Sequence, residues 1–254
     1  MIDELEKQII WQNIKTSEDN RKVLNGTAKA IETVKIKLSK DGKLTEELVN
    51  CIVVNYKNIK VIIPAEEIGI TKTDKKTLRN MIGSELKFIV IESDKLTNTA
   101  VASRKKAMEL IQRIQLKKYE AGDKVYAKII SVYPKFINVE CLGIDIKLKV
   151  EDLEYGYVEN LSKLYQVGDK IKVVIKEINE NDRILKISHK EIQEDPYKNV
   201  RKDYVENGEY LAKVTAYSDN RSFCKFKTRD RYYGYTSSLA WNAATTWRFN
   251  IGKS

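Results

Sequence analysis

Histidine and paired cysteines are nearly missing from this chain, and with them the usual components of catalytic and metal sites. The 254 residues include one histidine, His189, which excludes an HExxH zinc motif and any cluster of several histidines. The three cysteines, Cys51, Cys141 and Cys224, stand alone in strand-like runs without a CxxC pair. We interpret them as buried thiols in a reducing compartment, because this spacing fits neither a disulfide framework nor a zinc site.

Long hydrophobic runs are missing as well. The longest apolar runs, such as CIVV at 51–54, are far too short to span a bilayer. The chain opens with the acidic MIDELEKQII instead of the basic and apolar start of a signal peptide. These features predict a cytoplasmic, soluble protein without a membrane partner.

Glycine-rich phosphate-binding loops are also absent from the sequence. No GxGxxG occurs, and GKS at 252–254 has Trp247 where a phosphate loop requires glycine. Adjacent carboxylates such as Glu151 and Asp152 would face opposite sides of a strand, so they predict no acid–base pair. We therefore predict no enzyme activity, no cofactor and no metal site, and we interpret His189 as a surface residue.

What the chain has in excess is positive charge. It carries 46 Lys and Arg against 36 Asp and Glu, a net charge of +10 and a pI near 9.2. Such a surplus is typical of proteins that bind polyanions, nucleic acid first and acidic membrane surfaces second. The alternative is a basic protein whose lysines only keep it in solution. At 42% hydrophobic residues the chain can bury real cores, in one to three domains.

One stretch of sequence recurs at a fixed offset. MIGSELKFIVIESD at 81–94 and QVGDKIKVVIKEIN at 166–179 align on Gly83 and Gly168. In the second copy KIKVVIK alternates lysine with isoleucine and valine, which is the period-two pattern of a half-buried strand. Turn-forming residues and another β run follow, so each copy is predicted to end in a hairpin.

Each copy also has a matching start, and a third start follows later. The three are NGTAKAIETVKI at 25–36, AGDKVYAKIISVY at 121–133 and NGEYLAKVTAY at 207–217. Five short strands with a helical turn between the third and fourth are the ingredients of an OB-fold barrel. We predict an all-β protein of tandem five-stranded OB-fold barrels. The third barrel is incomplete, because WRFNIGKS at 247–254 precedes the position of its last hairpin.

The predicted organisation has six parts. They are an N-terminal helix at 1–22, a first barrel at 23–104, a linker helix at 105–119, a second barrel at 120–191, a linker at 192–205 and a partial third unit at 206–254. We expect Leu5, Ile9 and Ile10 to pack the first helix on its barrel. We expect the linker helix to have an apolar side formed by Met108, Ile111 and Ile114, and the third unit to be the least ordered part.

Several spaced motifs of the second unit occur in an order typical of one family. They are GDKVYAKIISVYPKFINVE, IDIKLKVEDL and YQVGDKIKVVIKEINENDRILKISHKE, all within 122–191. On these residues the unit resembles the S-one RNA-binding domain, an OB-fold repeat named after the largest protein of the bacterial small ribosomal subunit. The first unit is similar but divergent, with YKNIKVIIPAEEIG at 56–69, and it resembles S-one proteins of Gram-positive genomes and mobile elements. The third unit matches only through its first strands.

The resemblance implies a surface for single-stranded RNA on the second and third strands and the last hairpin of the unit. Proteins hold single strands with aromatic side chains that stack on bases and cations that follow phosphates. The family's binding positions fall on Tyr133, Phe136, Lys149, Asn179 and Arg183. The alternative is that the two aromatics are ordinary core or rim residues of the barrel, since strands are rich in aromatics.

The other two units differ in their candidate contacts. The third contains the densest basic and aromatic run, RSFCKFKTRDRYYGY at 221–235, with an exposed, solvated hairpin as the alternative. Its candidate RNA contacts are Phe223, Arg231 and Tyr235. The first unit lacks such aromatics, and Asn98 stands where the second has its hairpin arginine. Its basic residues between 72 and 79 are candidates for phosphate contacts, or the unit docks on a protein.

Charge and resemblance together predict a non-catalytic protein that binds single-stranded RNA, with a role on the ribosome or in translation. Single-stranded DNA is a second candidate ligand and the ribosome a candidate partner. The alternative function is a protein-interaction module of a mobile element that docks on the host ribosome or polymerase. A fragment of a larger RNA enzyme ranks third.

Overall fold

The computed structural model describes most of the first 195 residues and part of the remaining backbone. The described segments are 4–40, 43–70, 74–155, 158–179 and 184–195, with the backbone of five strands between 209 and 248. Side chains are described as far as residue 195, except those of 36–40 and 43–47. The side chains of the third unit, and with them the expectation about its order, lie outside the described residues.

A helix and a closed five-stranded barrel form the first part of the chain. The elements are α1 Glu4–Asn20, β1 Leu24–Lys40, β2 Lys43–Tyr56, β3 Ile59–Pro64, the short helix α2 Lys75–Arg79, β4 Glu85–Asp94 and β5 Thr99–Ser103. The sheet closes because β1 pairs with β4 and β3 pairs in parallel with β5. Closure leaves no long unpaired edge in this unit.

A second helix leads into a second five-stranded sheet. Its elements are α3 Arg104–Gln115, β6 Lys124–Val132, β7 Phe136–Cys141, β8 Ile144–Lys149, the short helix α4 Val150–Leu153, β9 Lys170–Asn179 and β10 Ile184–Ser188. The strand order is β10-β9-β6-β7-β8. The predicted mostly-β class is confirmed for these two sheets.

Five further strands follow in the last part of the chain. They are β11 Glu209–Tyr210, β12 Ala212–Ser218, β13 Arg221–Phe226, β14 Tyr233–Thr236 and β15 Trp247–Arg248. Strands β12, β13 and β14 form an antiparallel sheet, and β11 pairs with β15. That this segment is a third repeat of the barrel stays a prediction.

The period-two pattern of the sequence is confirmed by burial in β9. Ile171, Val173 and Ile175 are 8%, 0% and 1% exposed and join the core of the second sheet. Lys170, which precedes them, and Lys172, between the first two, are exposed. The predicted terminal hairpins are present as the antiparallel pairs β9–β10 and β4–β5.

The recurring glycines make the same backbone contact in both units. Gly83 and Gly168 have φ of 90° and 96°, a region that glycine enters without steric cost. The amide of Gly83 donates to the carbonyl of Ala28 at 2.8 Å, and that of Gly168 donates to the carbonyl of Ile129 at 2.9 Å. Each glycine turn therefore ties the approach to the fourth strand of a unit to that unit's first strand.

The buried side of α1 differs from the prediction. Ile10 and Ile14 are 3% and 0% exposed within the first core, as expected for Ile10. Leu5 and Ile9, expected on the same side, are 64% and 49% exposed. The expectation for Leu5 and Ile9 is wrong, because a buried stripe running i, i+4, i+7 from Ile10 to Ser17 turns them toward solvent.

Hydrogen bonds of Ser17 fix that rotation of the helix. The Ser17 hydroxyl donates to the carbonyl of Lys22 at 2.6 Å and accepts from the amide of Val90 at 3.0 Å. Val90 belongs to β4, so the last turn of α1 is held on the barrel. A polar residue thus determines which hydrophobic side chains enter the core.

Helix α3 also packs differently from the prediction. Its buried side is Arg104, Ala107 and Met108, at i, i+3 and i+4. Ile114, expected beside Met108, is 47% exposed. That expectation is wrong because the helix is oriented by the fully buried guanidinium of Arg104, which lies at 1% exposure.

The two sheets are joined through the outer face of the second. A β-bulge between Ile129 and Ser131 turns Ile130 away from its own core. Ile130 is 4% exposed and packs in the core of the first unit. The first barrel and the second sheet therefore share buried apolar surface.

Three ion pairs also join the two units. They are Lys128 with Glu85, Lys87 with Glu140 at 3.0 Å, and Arg104 with Asp145 at 2.6 Å. Glu140 is 7% exposed and is held further by the amide of Gly143. The side chain of Gln112, on α3, donates to the carbonyl of Gly143 at 2.6 Å. The helix predicted as a linker therefore bonds to both units.

Two of the three cysteines have described side chains. Cys51 and Cys141 are free and buried, and burial raises their pKa to about 11 and about 12. They are therefore neutral thiols, as expected, whereas Cys224 lies outside the described side chains. No helix in the described segments is long and apolar enough to cross a membrane.

Candidate nucleic-acid interface

Two aromatic rings stack on each other at the turn between β6 and β7. The ring centroids of Tyr133 and Phe136 are 4.4 Å apart and the rings are inclined by 18°. The amide of Tyr133 donates to the carbonyl of Phe136 at 2.9 Å and closes the turn over exposed Pro134 and Lys135. Both rings are half-buried, so one stacked unit stands at the surface of the sheet.

Two lysines of β8 lie beside this ring pair. The Nζ atom of Lys147 is 3.9 Å from the centroid of Phe136, within the range of a cation–π contact. Lys149 is the antiparallel partner of Phe136 and is exposed. Directly opposed residues share a face of the sheet, so Lys149 lies next to the ring.

The inner face of the same strands is occupied by aliphatic residues. Ile137 and Val139 are both 0% exposed, and Leu148 is 1% exposed. These three belong to the hydrophobic core of the second sheet, whereas neither Tyr133 nor Phe136 does. The two rings are therefore not core residues, and half-buried positions also fit the alternative of rim residues of the barrel.

The remaining predicted contacts of the second unit lie on its hairpin. Asn179 is half-buried at the end of β9 and pairs with Ile184. Arg183 lies outside the described residues. The structure thus brings together Tyr133, Phe136 and Lys149.

The predicted contacts of the third unit are described only by their backbone. Phe223 in β13 and Tyr235 in β14 are directly opposed in the register of the two strands. Their side chains and all of Arg231 lie outside the described residues. Strand pairing therefore brings together the backbones of two candidate residues that are twelve positions apart in the sequence.

In the first unit, the residue that corresponds to the hairpin arginine of the second unit makes a contact within the fold. Asn98, which stands where the second unit has arginine, has φ of 55° in the β4–β5 turn. Its side-chain amide donates to the carbonyl of Asn58 at 3.2 Å. Lys75, Lys76 and Arg79 lie in the short helix α2, and Lys72 lies outside the described residues.

Sequence reasoning missed two polar residues of the same face. Lys147 contacts Phe136, and Asn138 is the strand partner of Lys147. The Asn138 amide donates to the hydroxyl of Ser131 at 2.9 Å. The signal for Lys147 was present, because it precedes Lys149 by two positions and a strand repeats its face every two residues.

His189, interpreted as a surface residue, is half-buried. Its Nδ1 atom is 2.6 Å from the carbonyl oxygen of Lys172, and its ring meets that of Tyr165 edge-to-face with centroids 6.3 Å apart. In the part of the chain with described side chains, no three His, Cys, Asp or Glu residues are grouped to hold a metal.

A protein-family model matches the segment that contains this face. Residues 118–190 match the model of the S1 RNA binding domain. This segment is an S1 domain. Tyr133, Phe136, Lys147 and Lys149 all lie inside it, and the resemblance to the S-one family inferred from the motifs is confirmed.

Curated relatives match more of the chain than the S1 domain alone. Small ribosomal subunit protein bS1 of Coxiella burnetii is 24% identical over 79% of this chain and 37% of its own length. The same ribosomal protein of Pseudomonas aeruginosa is 23% identical over 86% of this chain and 38% of its own length. A 4-hydroxy-3-methylbut-2-enyl diphosphate reductase of Clostridium acetobutylicum is 26% identical over 89% of this chain and 33% of its own length.

The chain spans about a third of the length of these curated relatives. Among solved structures, a chain of an a/eIF2alpha–aDim2p–rRNA complex from Pyrococcus horikoshii OT3 matches 34% of this chain and 52% of its own, with 14% identity and a TM-score of 0.27. So low a TM-score carries no argument about fold or function. None of these relatives supports the alternative of a mobile-element docking module.

Proposed function

We propose that this chain binds single-stranded RNA through the outer face of its S1 domain, without catalysing a reaction on it. The observation that carries the proposal is the stacked pair of Tyr133 and Phe136 with Lys147 and Lys149 beside it. The face combines flat rings for bases with cations for phosphates, the two elements that single-strand binding needs.

The position of Lys147 over the Phe136 ring implies a specific mode of RNA binding. The Nζ atom of Lys147 lies over the face of Phe136. A base that stacks on this face displaces the ammonium group, which then contacts a phosphate of the same strand. Each stacked base contributes about 1–3 kcal/mol. Because a duplex keeps its bases stacked inward, the face favours single strands.

The other candidate residues are proposed to contact the RNA strand where it continues beyond this face. Asn179 and Arg183 on the hairpin are proposed to contact the same RNA strand, and Phe223, Arg231 and Tyr235 to continue the contacts in the last part of the chain. Stacking and phosphate contacts do not distinguish ribose from deoxyribose, so single-stranded DNA is an alternative ligand.

A role on the ribosome or in translation is proposed from the relatives. Three proteins named bS1 match 75–86% of this chain at 22–24% identity. We propose the small ribosomal subunit as the setting in which the chain holds RNA. That setting, as well as the cytoplasm as its location, follows from the names of those relatives.

No reductase chemistry is proposed for this chain. The match to the reductase covers 33% of the reductase and 89% of this chain. The ribosomal proteins match 79% and 86% of this chain, so the two matches overlap over most of it. The shared segment is therefore common to proteins of different names. The face described above offers rings and lysines, which suit binding.

The test is fluorescence anisotropy with a labelled, unstructured 20-nucleotide RNA against a duplex of the same length. We expect the single strand to bind more tightly, with an affinity that falls as salt rises. Phe136→Leu should weaken binding by about 5-fold or more, since it removes one stacking platform of about 1–3 kcal/mol. Phe136→Tyr keeps a ring and serves as the matched control.

Two results would contradict the proposal. One is an affinity of Phe136→Leu equal to that of Phe136→Tyr, which would show that no base stacks on this ring. The other is equal binding of duplex and single strand, which would mean that the net charge acts without specificity. Thermal unfolding of both variants should show an intact fold, because residue 136 lies outside the core.

A further inference from the structure

A cleft that, like the Tyr133–Phe136 face, contains an aromatic ring and lysines lies between the two units. It has a volume of about 810 Å³ and is bordered by the start of β1, the start of β4, α3 and the outer face of β6. Its apolar wall includes Leu24, Ile111 and Leu142, and Tyr126, Lys128 and Lys170 line the side of the second sheet. Clefts between domains are a frequent location of ligand sites.

Tyr126 presents its ring to this cleft. It is 67% exposed, the most exposed aromatic among the described side chains. Its neighbours Val125 and Ala127 are 6% and 0% exposed in the core, so Tyr126 stands on the outer face of β6. No ring contact with another described residue covers Tyr126.

Lysines surround this ring. Lys172 is the direct strand partner of Tyr126, and Lys170 is the partner of Lys128 two positions along. Lys124 lies on the same face, two positions before Tyr126. Lys124, Lys170 and Lys172 are exposed and form no ion pair with another described residue.

The carboxylates of the cleft are already engaged. Glu85 pairs with Lys128 and Glu140 pairs with Lys87. Burial, followed by the nearby positive charge of Lys170, lowers the pKa of Lys128. The cleft therefore has a surplus of positive charge that a bound anion would relieve.

We propose that this cleft is a second nucleotide-binding site, in which a base stacks on Tyr126 and its phosphate contacts Lys170 and Lys172. The inference rests on the proposed function for the identity of its ligand, a nucleotide of a single-stranded RNA. A free nucleotide has the same chemistry and is the other source of the ligand.

The site is separate from the Tyr133–Phe136 face. Tyr126 and Val132 are six positions apart in β6, about 20 Å at 3.3 Å per residue. The Lys128–Glu85 contact lies between them. An RNA strand that occupies both faces crosses the junction of the two units, and binding then holds the units together.

The first experiment compares variants of the cleft in the anisotropy assay with the 20-nucleotide RNA. Tyr126→Ala should weaken binding about 5-fold or more, and Tyr126→Phe should bind as the unmodified chain does. The double variant Lys170→Gln with Lys172→Gln should reduce the slope of log affinity against log salt by roughly 1.4, from two lost phosphate contacts.

The matched control removes the same charge elsewhere. Lys57 and Lys95 are exposed on turns of the first barrel, and Lys95 follows β4 at the end away from Glu85. Lys57→Gln with Lys95→Gln should leave the slope unchanged. Equal slopes for the two double variants, or full affinity of Tyr126→Ala, would overturn the proposal.

The outcomes separate this inference from the proposed function. If Phe136→Leu loses binding and Tyr126→Ala keeps full affinity, the proposed function is supported and the cleft is not a binding site. If Tyr126→Ala loses binding and Phe136→Leu keeps full affinity, the cleft is a binding site and the Tyr133–Phe136 face is not.

NMR titration with adenosine monophosphate identifies the source of the ligand. Saturable shifts at Tyr126 with the mononucleotide alone support a free nucleotide, and shifts with RNA alone support the strand. An absence of shifts at Tyr126 with either ligand overturns the site.

Discussion

The buried ion pair between Arg104 and Asp145 is the contact most open to a quantitative test. Two guanidinium nitrogens donate to the two oxygens of Asp145 at 2.7 and 2.6 Å, and one of them also donates to the carbonyl of Ile68 at 2.9 Å. The Arg104 side chain is 2% exposed and that of Asp145 is 24% exposed. We therefore expect Asp145→Ala and Arg104→Met to differ in their effects.

The magnitudes follow from which charge is left behind. Removing one partner of a buried pair costs about 3–5 kcal/mol, because the other charge stays buried. Asp145→Ala leaves the guanidinium with the Ile68 carbonyl as its described partner, so we expect the free energy of unfolding to fall by about 3 kcal/mol. Arg104→Met leaves a carboxylate that already reaches water, so we expect about 2 kcal/mol.

The assay is urea unfolding followed by circular dichroism, with small-angle X-ray scattering at zero urea. Separation of the two units should increase the radius of gyration in Asp145→Ala. Combining both substitutions should cost less than the sum of the single costs, by about 0.5–3 kcal/mol, since the residues are in contact. Lys163→Met breaks an exposed pair with Glu159 and should cost under about 1 kcal/mol.

Three outcomes would refute this reasoning. Costs of Asp145→Ala and Lys163→Met that agree within error would show that burial does not strengthen the pair. A larger cost for Arg104→Met than for Asp145→Ala would reverse the expected asymmetry. An unchanged scattering profile in Asp145→Ala would show that the pair does not hold the units together.

Two further predictions concern α3 and the buried thiols. Gly143→Ala should destabilise the chain by more than about 1–3 kcal/mol in urea, because its φ is 83° and a Cβ would lie 2.8 Å from the Met108 carbonyl. Gly122→Ala is the control for backbone strain alone, because Gly122 has φ of 99° and a Cβ there would meet nothing within 4 Å. Equal losses of stability in the two variants would show that the contact with the Met108 carbonyl does not matter. Burial raises the pKa of Cys141 from 9.0 to about 12, so the folded state keeps its thiol neutral while the unfolded state ionises above pH 9. From pH 8 to 10 the unfolding free energy should therefore fall by about 1.3 kcal/mol more than in Cys141→Ala, and parallel pH profiles would contradict this.

The strands and the aromatic pair of the second unit were largely readable from the sequence. Alternation in KIKVVIK placed Ile171 and Val173 inward, and the recurring Gly83 and Gly168 marked equivalent turns. These signals are local, because a strand repeats its face every two residues and a positive φ favours glycine at one position. The S1 motifs likewise led to Tyr133, which the structure places in a stacked pair.

Other features escaped the sequence because their partners lie far along the chain. Ser17, a polar residue near the end of α1, selects the buried side of that helix through Val90. Ile130 reads as one more hydrophobic residue of β6, yet a bulge sends it into the neighbouring core. Burial of Glu140 likewise depends on Lys87, 53 positions away.

The sequence by itself determined that this protein is built of β-strands, carries an S1 domain and has a surplus of positive charge. Those properties depend on composition and on spacings of a few residues. Only the tertiary structure decided that Arg104, in a segment that reads as a linker helix, joins two units through Asp145. It also decided that Tyr126 lines a cleft, because a cleft is formed by surfaces of two units whose relative position no local pattern encodes.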